Sequence, residues 1–275
     1  MINWTGVGEK PDGSIVLTKL TKDMIKVSED NRNPDPSKNV KIGLLDIETN
    51  GLEPDDDFVI EIGLMVYEVN RETGLFVSLV DQYQALQEIK EDLSQKIINI
   101  TNLTDEMLKG QSIDWPHVND MISDCVYIIA HNSYFDRGFI DSLAISSINK
   151  IWGCSLRQIQ WTKKGFHSAS LTNLCLAHGV HYTGHRAIND VEATAYLLQQ
   201  QSPDDEACYL KQLLDEIDKP QRIVIAHKHP KERKEVLRNN EFTWAADIFS
   251  WIKIVNEKAM VQKELKWLED KVYGA

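Results

Sequence analysis

The chain has 275 residues, more than a domain of average size needs, so one sizeable domain with a small addition is expected. Its 30 basic and 42 acidic side chains give a net charge of −12, which argues against recognition through a general basic surface and suits a protein with acidic metal ligands. Four widely spaced cysteines, no secretory leader and no apolar run of about 18 residues predict a reduced, cytoplasmic protein outside the membrane.

The first part of the chain predicts an extension followed by a strand meander. Residues 1–39 show little apolar periodicity and are interpreted as an N-terminal extension that closes in an Asn- and Pro-rich loop. Three β-rich runs follow, at Lys41–Ile47, Phe58–Val69 and Phe76–Gln84. The second run is apolar almost throughout, as expected of a strand that is covered on both faces.

Strands and helices then alternate. Two further strands are predicted at Val126–Ala130 and Ile151–Cys154. The predicted helices are Ser94–Ile100, Thr104–Leu108, Asp114–Ser123, Leu171–His178 and Ile188–Gln200. A meander followed by this alternation indicates an α/β fold with a mixed five-stranded sheet flanked by helices on both faces. The polar cluster at residues 201–205 is expected to end this domain, which then spans residues 40–203.

Residues 204–275 have a different character and are predicted to form a small C-terminal αβ module. Its predicted elements are strands at Arg222–Ala226, Glu241–Asp247 and Phe249–Val255, and helices at Lys231–Arg238 and Lys258–Lys271. From residue 219 to the last residue there are twelve basic and eight acidic side chains, a balance of +4. Residues 1–218 therefore carry −16, since the whole chain carries −12.

The first strand carries two carboxylates separated by one residue. Side chains of a strand repeat on one face every two residues, so Asp46 and Glu48 project together while Leu45 and Ile47 point to the other face. Two adjacent carboxylates repel each other and are costly to desolvate, and a hard divalent cation offsets both effects. For an isolated D-x-E the simpler interpretation is an acidic strand end before the Asn50-Gly51 turn, so the metal hypothesis depends on further acids.

Two further acids and a histidine occupy comparable positions. Asp136 lies at the start of the helix after the fourth strand, and Asp190 lies at the start of a late helix. His185 precedes Asp190 by five residues, a spacing that does not share a helical face, so His185 is expected on the loop before the helix. A histidine there could reach a water molecule held by a metal.

Three segments resemble the histidine-bearing DEDD (DEDDh) exonucleases, the family of the proofreading ε subunit of bacterial DNA polymerase III. They are Leu45–Leu52 (LDIETNGL), Ala130–Asp136 (AHNSYFD) and His185–Thr194 (HRAINDVEAT). Ile100–Met107 is similar to a turn of that family, with Asn102 where a glycine is usual. The resemblance covers about residues 40–200 and implies an RNase H-like fold.

The resemblance implies a metal-dependent 3′–5′ exonuclease that acts on nucleic acid, with single-stranded DNA preferred to RNA. Two Mg²⁺ or Mn²⁺ ions would be held by Asp46, Glu48, Asp136 and Asp190, and two such ions can activate water and stabilise the leaving 3′ oxygen. His185 would accept the proton of the attacking water. The substrate contacts carried over are Thr49, Asn50, Gly51, Leu52 and Asn132.

Two other functions remain open at this point. A ribonuclease of the same fold would trim RNA ends, and no residue is identified that would read the 2′-hydroxyl group. A catalytically silent nucleic-acid-binding scaffold is disfavoured, because all five catalytic positions of the family are intact. A polymerase or other protein partner cannot be named from the sequence.

Several conspicuous residues have a simpler structural interpretation. Glu61, within the second strand, is expected to be a hydrogen-bonded acid rather than a further ligand, and His131 is expected to bond to the backbone. The His227-x-His229 pair is interpreted as a solvated loop, since no third metal ligand is near. Trp152 and Trp161 are at least as compatible with the core as with base stacking.

The basic tail also allows two interpretations. Its tryptophans and basic side chains could grip a nucleic-acid strand by stacking and phosphate contacts. The residues concerned are Trp244, Trp251, Lys231, Arg233, Lys234 and Arg238. The preferred interpretation is that the two tryptophans pack a small core beneath solvated basic side chains.

Overall fold

The computed structural model describes residues 8–9, 15–27, 35–203, 207–219, 222–228, 230–245, 250–255 and 258–274. Near the N-terminus, strands β1 (Gly8–Glu9) and β2 (Ile15–Val16) pair antiparallel, and β3 (Thr18–Lys19) pairs in parallel with residues 180–181. Short 3-10 helices follow at Lys22–Met24 and Pro36–Lys38. Strand β3 of the predicted extension therefore pairs with a segment of the domain that was expected at residues 40–203.

The central sheet has five strands, as the sequence predicts. They are β4 (Asn39–Thr49), β5 (Val59–Asn70), β6 (Phe76–Leu86), β7 (Tyr127–Ala130) and β8 (Ile151–Cys154). The order is β6-β5-β4-β7-β8, with antiparallel pairing among the first three strands and parallel pairing of β7 and β8 onto β4. A meander extended by two parallel strands that enter after helices is an RNase H-like arrangement, which confirms the expected fold class.

Helices surround the sheet. They are α1 (Gln95–Thr101), α2 (Asp105–Leu108), α3 (Trp115–Ser123), α4 (Ser133–Leu143), α5 (Ser155–Gln158), α6 (Leu171–Ala177), α7 (Ala187–Gln199) and α8 (Tyr209–Ile217), with a 3-10 helix at Ile145–Asn149 and strand β9 at Val180–His181. Side chains of α3 and α4 share one apolar core with Leu45, Ile47 and Ile62 of the sheet. Helix α7 packs on β4 and β5 from the other face.

Local capping explains several helix boundaries. Ser94, Thr104 and Asp114 accept backbone N–H groups three residues later with their side chains, so each begins a helix where an N-cap is required. Asn102 ends α1 in the left-handed region, with φ of 57°. Glycine and asparagine tolerate that region best, which explains why an asparagine can replace the glycine usual at this turn.

The chain divides into two compact units, residues 1–216 and 217–275. The first unit extends past the expected boundary at residue 203 because α8 packs on it. Tyr209 of α8 is fully buried, with its ring 4.7 Å from Trp161 and 5.5 Å from His178, measured between ring centroids. Residues 208–216 therefore belong with the larger unit rather than with the small module.

The second unit contains the predicted αβ elements with somewhat different limits. Strands β10 (Arg222–Ala226), β11 (Thr243–Ala245) and β12 (Ser250–Val255) form an antiparallel sheet of order β10-β12-β11, and its helices are α9 (Lys234–Asn239) and α10 (Lys258–Leu268). The predicted helix at 231–238 begins as a 3-10 turn at Lys231–Arg233, and α10 ends in a π turn at Glu269–Tyr273. Across the described ranges of both units, no helix is long and apolar enough to cross a membrane.

Candidate active site

The two acids of β4 lie at its C-terminal end on the face opposite the α3/α4 core. Leu45 and Ile47 are buried in that core, whereas Asp46 and Glu48 are half-buried on the face that α7 covers. A register shift after Glu48 ends the regular pairing with β5. Such irregularities redirect side chains at the ends of strands, and here the shift separates the acidic pair from the loop that follows.

Asp190 joins these two acids from the first turn of α7. Oxygen atoms of Asp46, Glu48 and Asp190 all lie within 4.8 Å of one another. The carboxylate of Asp190 is itself held at both oxygens. The Tyr182 hydroxyl donates to Oδ1 at 2.7 Å, and the Arg186 backbone N–H donates to Oδ2 at 3.2 Å.

Asp136, the fourth predicted acid, is held beside β4 but is not one of the three mutually close carboxylates. It lies in the first turn of α4, is 2% exposed, and accepts the backbone N–H of Ile47 at 3.2 Å through Oδ1. Ile47 stands between Asp46 and Glu48, so the Asp136 carboxylate borders the acidic pair. The tertiary structure thus brings all four predicted acids to one end of the sheet.

The environment raises the pKa of each of these four acids. Burial is the largest cause in every case, and the neighbouring negative charges add to it for Asp46, Glu48 and Asp136. For Glu48, burial and the charges of Asp190, Glu61 and Asp136 raise the pKa to about 8. Oxygen ligands that are too close to ionise together suit a hard divalent cation, which favours the ionised state.

His185 lies on the loop before α7, as the spacing predicts. Its side chain is exposed and its backbone φ is 61°. A residue other than glycine in this left-handed region carries strain, and such residues persist where the surrounding structure fixes them. Its backbone and its charge both interact with Asp190, so the histidine adjoins the acidic cluster.

Four consecutive residues predicted to border the substrate, the last of β4 and the three that follow it, form a closed turn. The Asn50 side chain accepts the backbone N–H of Phe58 at 2.6 Å, and the Thr49 hydroxyl donates to the Gly51 carbonyl. A Cβ atom on Gly51 would lie 2.1 Å from a carboxylate oxygen of Asp57, so a larger residue there would require the Asp57 side chain to move. Leu52 is 73% exposed, which leaves its apolar side chain free to meet a ligand. Asn50 and Gly51 thus shape the loop that presents Leu52.

The residues at the end of β7 divide into one structural residue and one loop residue. Both ring nitrogens of His131 are engaged, Nδ1 with the Ser155 hydroxyl at 2.8 Å and Nε2 with the Ala169 carbonyl at 2.9 Å. Burial lowers the pKa of His131 to about 4, so the ring is neutral and structural, as expected. Asn132 adopts φ of 88°, and its carbonyl accepts the Phe135 N–H at 2.9 Å.

Glu61 is a hydrogen-bonded structural acid, as the sequence analysis expects. It is 3% exposed, and Arg186 donates to it from Nε at 3.0 Å and from Nη2 at 2.9 Å. Neither Arg186 nor Tyr182 has a role predicted from the sequence, although the Arg186 backbone N–H and the Tyr182 hydroxyl both hydrogen-bond to Asp190. Neither residue has a sequence pattern that marks it, since each finds its partner through the packing of α7.

The tryptophans that were candidates for base stacking have structural roles. Trp152 and Trp161 are buried, and their indole N–H groups donate to the backbone carbonyls of Ser147 and Ser155. Nδ1 of His227 lies 3.2 Å from the Ser250 hydroxyl, and His229 falls outside the described residues.

In the tail, Trp251 is 4% exposed within a small apolar core, whereas Trp244 is 45% exposed. The Arg238 guanidinium lies over the Trp251 ring, 5.7 Å from its centroid. The preferred interpretation is confirmed for Trp251, and Trp244 remains on the surface. The side chain of Lys231 is outside the described part of the chain.

Comparison with known proteins agrees with this geometry. The RNase T model, described as an exonuclease family, matches residues 44–198. The PolC-type DNA polymerase III of Staphylococcus aureus is 33% identical over an alignment of 168 positions, which covers 56% of this chain but only 11% of that polymerase.

The structural similarities are more distant. Exonuclease X, solved with a 5′-overhanging DNA duplex, is 18% identical with a TM-score of 0.46, over 64% of this chain and 99% of that one. Exonuclease I of E. coli, solved with a dT13 oligonucleotide, is 14% identical with a TM-score of 0.47, over 57% of this chain and 39% of that one.

Proposed function

Because this chain belongs to the RNase T family of exonucleases, we propose that it removes nucleotides from the 3′ end of DNA, with single strands preferred, in a reaction that depends on divalent metal ions. The observation that carries the proposal is the group of three carboxylates, Asp46, Glu48 and Asp190, whose oxygens lie within 4.8 Å of one another. The similarity to a DNA polymerase supports DNA as the substrate.

The acidic residues are proposed to hold the metal ions. Asp46, Glu48 and Asp190 supply the close set of oxygen ligands, and Asp136 adds a carboxylate beside them. Two bound Mg²⁺ or Mn²⁺ ions would supply Lewis-acid stabilisation of the charge that develops on the phosphate and on the leaving oxygen. The raised pKa values of these carboxylates mean that ion binding is accompanied by proton release.

His185 is proposed to act as the general base. It adjoins Asp190 and is exposed, so its imidazole can accept a proton from an attacking water molecule and pass it to solvent. It precedes α7 and is not among the three residues whose ligand atoms lie within 4.8 Å of one another, so it is proposed as the base rather than as a metal ligand.

The loop after β4 is proposed to border the terminal nucleotide. Leu52 offers an exposed apolar surface for a base, while Thr49, Asn50 and Gly51 keep the loop closed beneath it. Asn132, which caps α4 in the left-handed region after β7, is proposed to orient the substrate or the site.

A nuclease assay on end-labelled oligonucleotides tests the proposal. With Mg²⁺ or Mn²⁺, a 5′-labelled single strand should shorten progressively from its 3′ end and release nucleoside monophosphates, and EDTA should abolish the reaction. Digestion from the 5′ end alone, or digestion undiminished by chelation, contradicts the proposal.

Matched DNA and RNA strands of one sequence define the substrate class in the same assay. The proposal expects faster digestion of DNA than of RNA, and of single strands than of duplexes. Equal or faster digestion of RNA would identify an exoribonuclease, which recognises the 2′-hydroxyl through contacts that the sequence does not reveal.

A further inference from the structure

The segment that carries both His185 and Asp190 is anchored by a buried acid of β5, Glu61, at the end of the sheet where the proposed metal ligands lie. Glu61 of β5 pairs across the strands with Glu48, one of the proposed metal ligands. Opposite residues of paired strands project to the same face, so Glu61 points towards α7, as Glu48 does. Glu61 is 3% exposed and therefore requires a partner there.

Arg186 is that partner, and its geometry fixes the chain. Its Nε lies 3.0 and 3.1 Å from the two Glu61 oxygens, and its Nη2 lies 2.9 Å from Oε1. The Ala187 backbone N–H also donates to Glu61, at 3.2 Å. A planar guanidinium bound through two nitrogens defines both the position and the orientation of its residue. Glu61 thus holds the two residues that directly follow His185.

Close packing leaves this junction little freedom. Gly63 lies opposite Asp46 in the sheet, and a Cβ atom there would lie 2.6 Å from the Ile188 nitrogen. The backbone of β5 at Gly63 therefore packs directly against the backbone of the first residues of α7. His185 itself has φ of 61°, a conformation that relaxes unless its neighbours hold it. The anchored neighbour is Arg186.

Glu61 also carries an electrostatic cost, so a contribution to stability does not explain its presence. Glu61 adds a negative charge next to carboxylates that already repel one another, and its charge is among those that raise the pKa of Glu48. A buried ion pair contributes little net stability compared with apolar residues of similar volume, although it can enforce one geometry. A positioning role accounts for an acid at this place.

We propose that the Glu61–Arg186 ion pair is a positioning device that holds the His185 imidazole in its reactive location, while neither residue of the pair touches the reacting atoms. This inference rests on the proposed function, because it takes His185 to be the general base. It makes Glu61 and Arg186 positioning residues whose effect on turnover passes through His185.

A double-mutant cycle tests this dependence. Glu61→Gln should lower kcat about 10- to 100-fold in the otherwise unchanged protein, the range typical of residues that orient a catalytic group. In a His185→Ala background the same substitution should change kcat by no more than about twofold, since its target is gone. Equal losses in both backgrounds would overturn the proposal.

An ion pair at the far end of the same strand provides the matched control. Arg71, which directly follows β5, donates from Nη1 to the half-exposed Asp215 at 3.0 Å, and its own side chain is 21% exposed, compared with 33% for Arg186. Arg71→Gln removes an arginine–carboxylate pair from the end of β5 remote from Glu61, and kcat should stay within about twofold of the unchanged protein. A comparable loss of kcat in this variant would assign the Glu61 effect to general destabilisation and overturn the proposal.

A second measurement does not depend on activity. In the metal-free protein, the imidazole ¹H–¹³C resonance of His185, identified by its absence in His185→Ala, should be a single sharp signal. It should shift or broaden in Glu61→Gln, while the resonances of the buried His131 and His178 stay in place. An unchanged His185 resonance would overturn the proposal.

A milder variant covers the case in which Glu61→Gln does not fold. Arg186→Lys keeps the positive charge but loses the two-nitrogen contact, and it should produce the same shift of the His185 resonance with little change in Mn²⁺ affinity measured by calorimetry. An unperturbed His185 signal in this folded variant overturns the proposal. Failure of the proposed function is separate, since it would appear as a wild-type protein without metal-dependent nuclease activity, whatever the resonance does.

Discussion

At the scale of single residues, the site is built from acidic side chains whose mutual repulsion lowers the stability of the folded protein. Asp46, Glu48 and Asp190 place three carboxylates within 4.8 Å, and burial makes their ionisation still less favourable. Nearby groups hold part of this charge. Tyr182 and the Arg186 backbone N–H hydrogen-bond Asp190, and both interactions lower its pKa against the larger effect of burial. The repulsion that remains is what the proposed metal ions would neutralise.

The pH dependence of stability should report this repulsion. The pKa of Glu48 is raised from its ordinary value of 4.5 to about 8, so in this interval the folded metal-free protein holds a proton that the unfolded chain has released. Protonated Glu48 therefore favours the folded state relative to ionised Glu48, and this contribution to the free energy of unfolding is lost as the pH rises towards 8. Glu48→Gln should remove that loss.

Thermal unfolding of the protein in EDTA at pH 5 and pH 8 measures the effect. The Tm of the unchanged protein should fall more between these pH values than the Tm of Glu48→Gln, and Mn²⁺ should raise the wild-type Tm most at pH 8. Parallel behaviour of the two proteins would show that Glu48 ionises as freely in the folded state as in the unfolded one.

A second set of variants should distinguish the proposed metal ligands from the proposed general base by their effects on kcat and on Mn²⁺ affinity. Asp46→Asn and Asp190→Asn should each reduce kcat by about a thousandfold or more, because the metal ions that these carboxylates are proposed to hold would supply several kcal/mol of charge stabilisation. His185→Ala should reduce kcat by about 10²- to 10⁴-fold, as expected for loss of a general base, and leave Mn²⁺ affinity nearly intact. Calorimetric titration with Mn²⁺ beside single-turnover kinetics provides the comparison. If His185→Ala weakens Mn²⁺ binding as much as Asp190→Asn does, its assignment as base is wrong.

At the scale of secondary-structure elements, the contact between β5 and α7 determines whether the site forms. The first turn of α7 rests on Gly63, beside the residue of β5 that faces Glu48. Asp46 and Glu48 come from β4, while Asp190 and His185 come from α7 and its preceding loop. The distance between the two groups of residues is therefore set by the packing of α7 on the sheet, including its contact with β5.

Gly63→Ala should disturb this contact. The new Cβ would lie 2.6 to 2.8 Å from backbone atoms of Ala187 and Ile188, which cannot move unless the start of α7 moves. Overpacking of this kind costs about 1–3 kcal/mol in stability. Because the displaced segment carries His185 and Asp190, both kcat and Mn²⁺ affinity should fall together.

Gly43→Ala is the control for Gly63→Ala. Its Cβ would meet the Cδ1 end of the Ile128 side chain at 2.9 Å, and a side-chain end can shift. This variant should lose some stability in chemical denaturation, while turnover of the folded protein stays close to that of the wild type. The prediction fails if both variants lose activity to the same extent.

At the scale of the whole molecule, charge is distributed unevenly along the chain. Residues 219–275 carry twelve basic and eight acidic side chains, a balance of +4, whereas residues 1–218 carry −16. Two divalent ions would add four positive charges to the catalytic part and still leave it strongly negative. Long-range attraction of a polyanionic substrate would therefore have to come from the tail, within a Debye length of about 8–10 Å.

Deletion of residues 219–275 should weaken the binding of long single strands and flatten the salt dependence of that binding. Turnover of a dinucleotide, whose single phosphodiester offers little charge for the tail to attract, should stay nearly unchanged. Fluorescence anisotropy of labelled strands at low and moderate salt, together with dinucleotide hydrolysis, measures both quantities. If a soluble truncated protein binds and digests long strands as well as the full chain does, Arg233, Lys234 and Arg238 have no role in capture. Aggregation of the truncated protein would instead show that the tail is structural.

The sequence by itself determined the parts of this protein that depend on local periodicity and capping. Alternation along β4 placed Asp46 and Glu48 on one face, and the spacing of His185 and Asp190 placed the histidine outside the helix. The five strands of the sheet and most helices followed from the same local rules, within a few residues at their ends.

The tertiary structure alone decided how the distant segments meet. Glu61 and Arg186 are 125 residues apart, and the Tyr182–Asp190 hydrogen bond depends on the path of a loop without periodicity. The close group of three carboxylates, with Asp136 set beside it on a backbone N–H, likewise depends on packing between elements. Helix α8 belongs to the larger unit because its Tyr209 packs among aromatic rings of residues that lie more than 30 positions earlier in the chain, such as Trp161 and His178. Such contacts arise from the shape of the folded core, and no pattern in neighbouring residues encodes a partner that only the fold brings near.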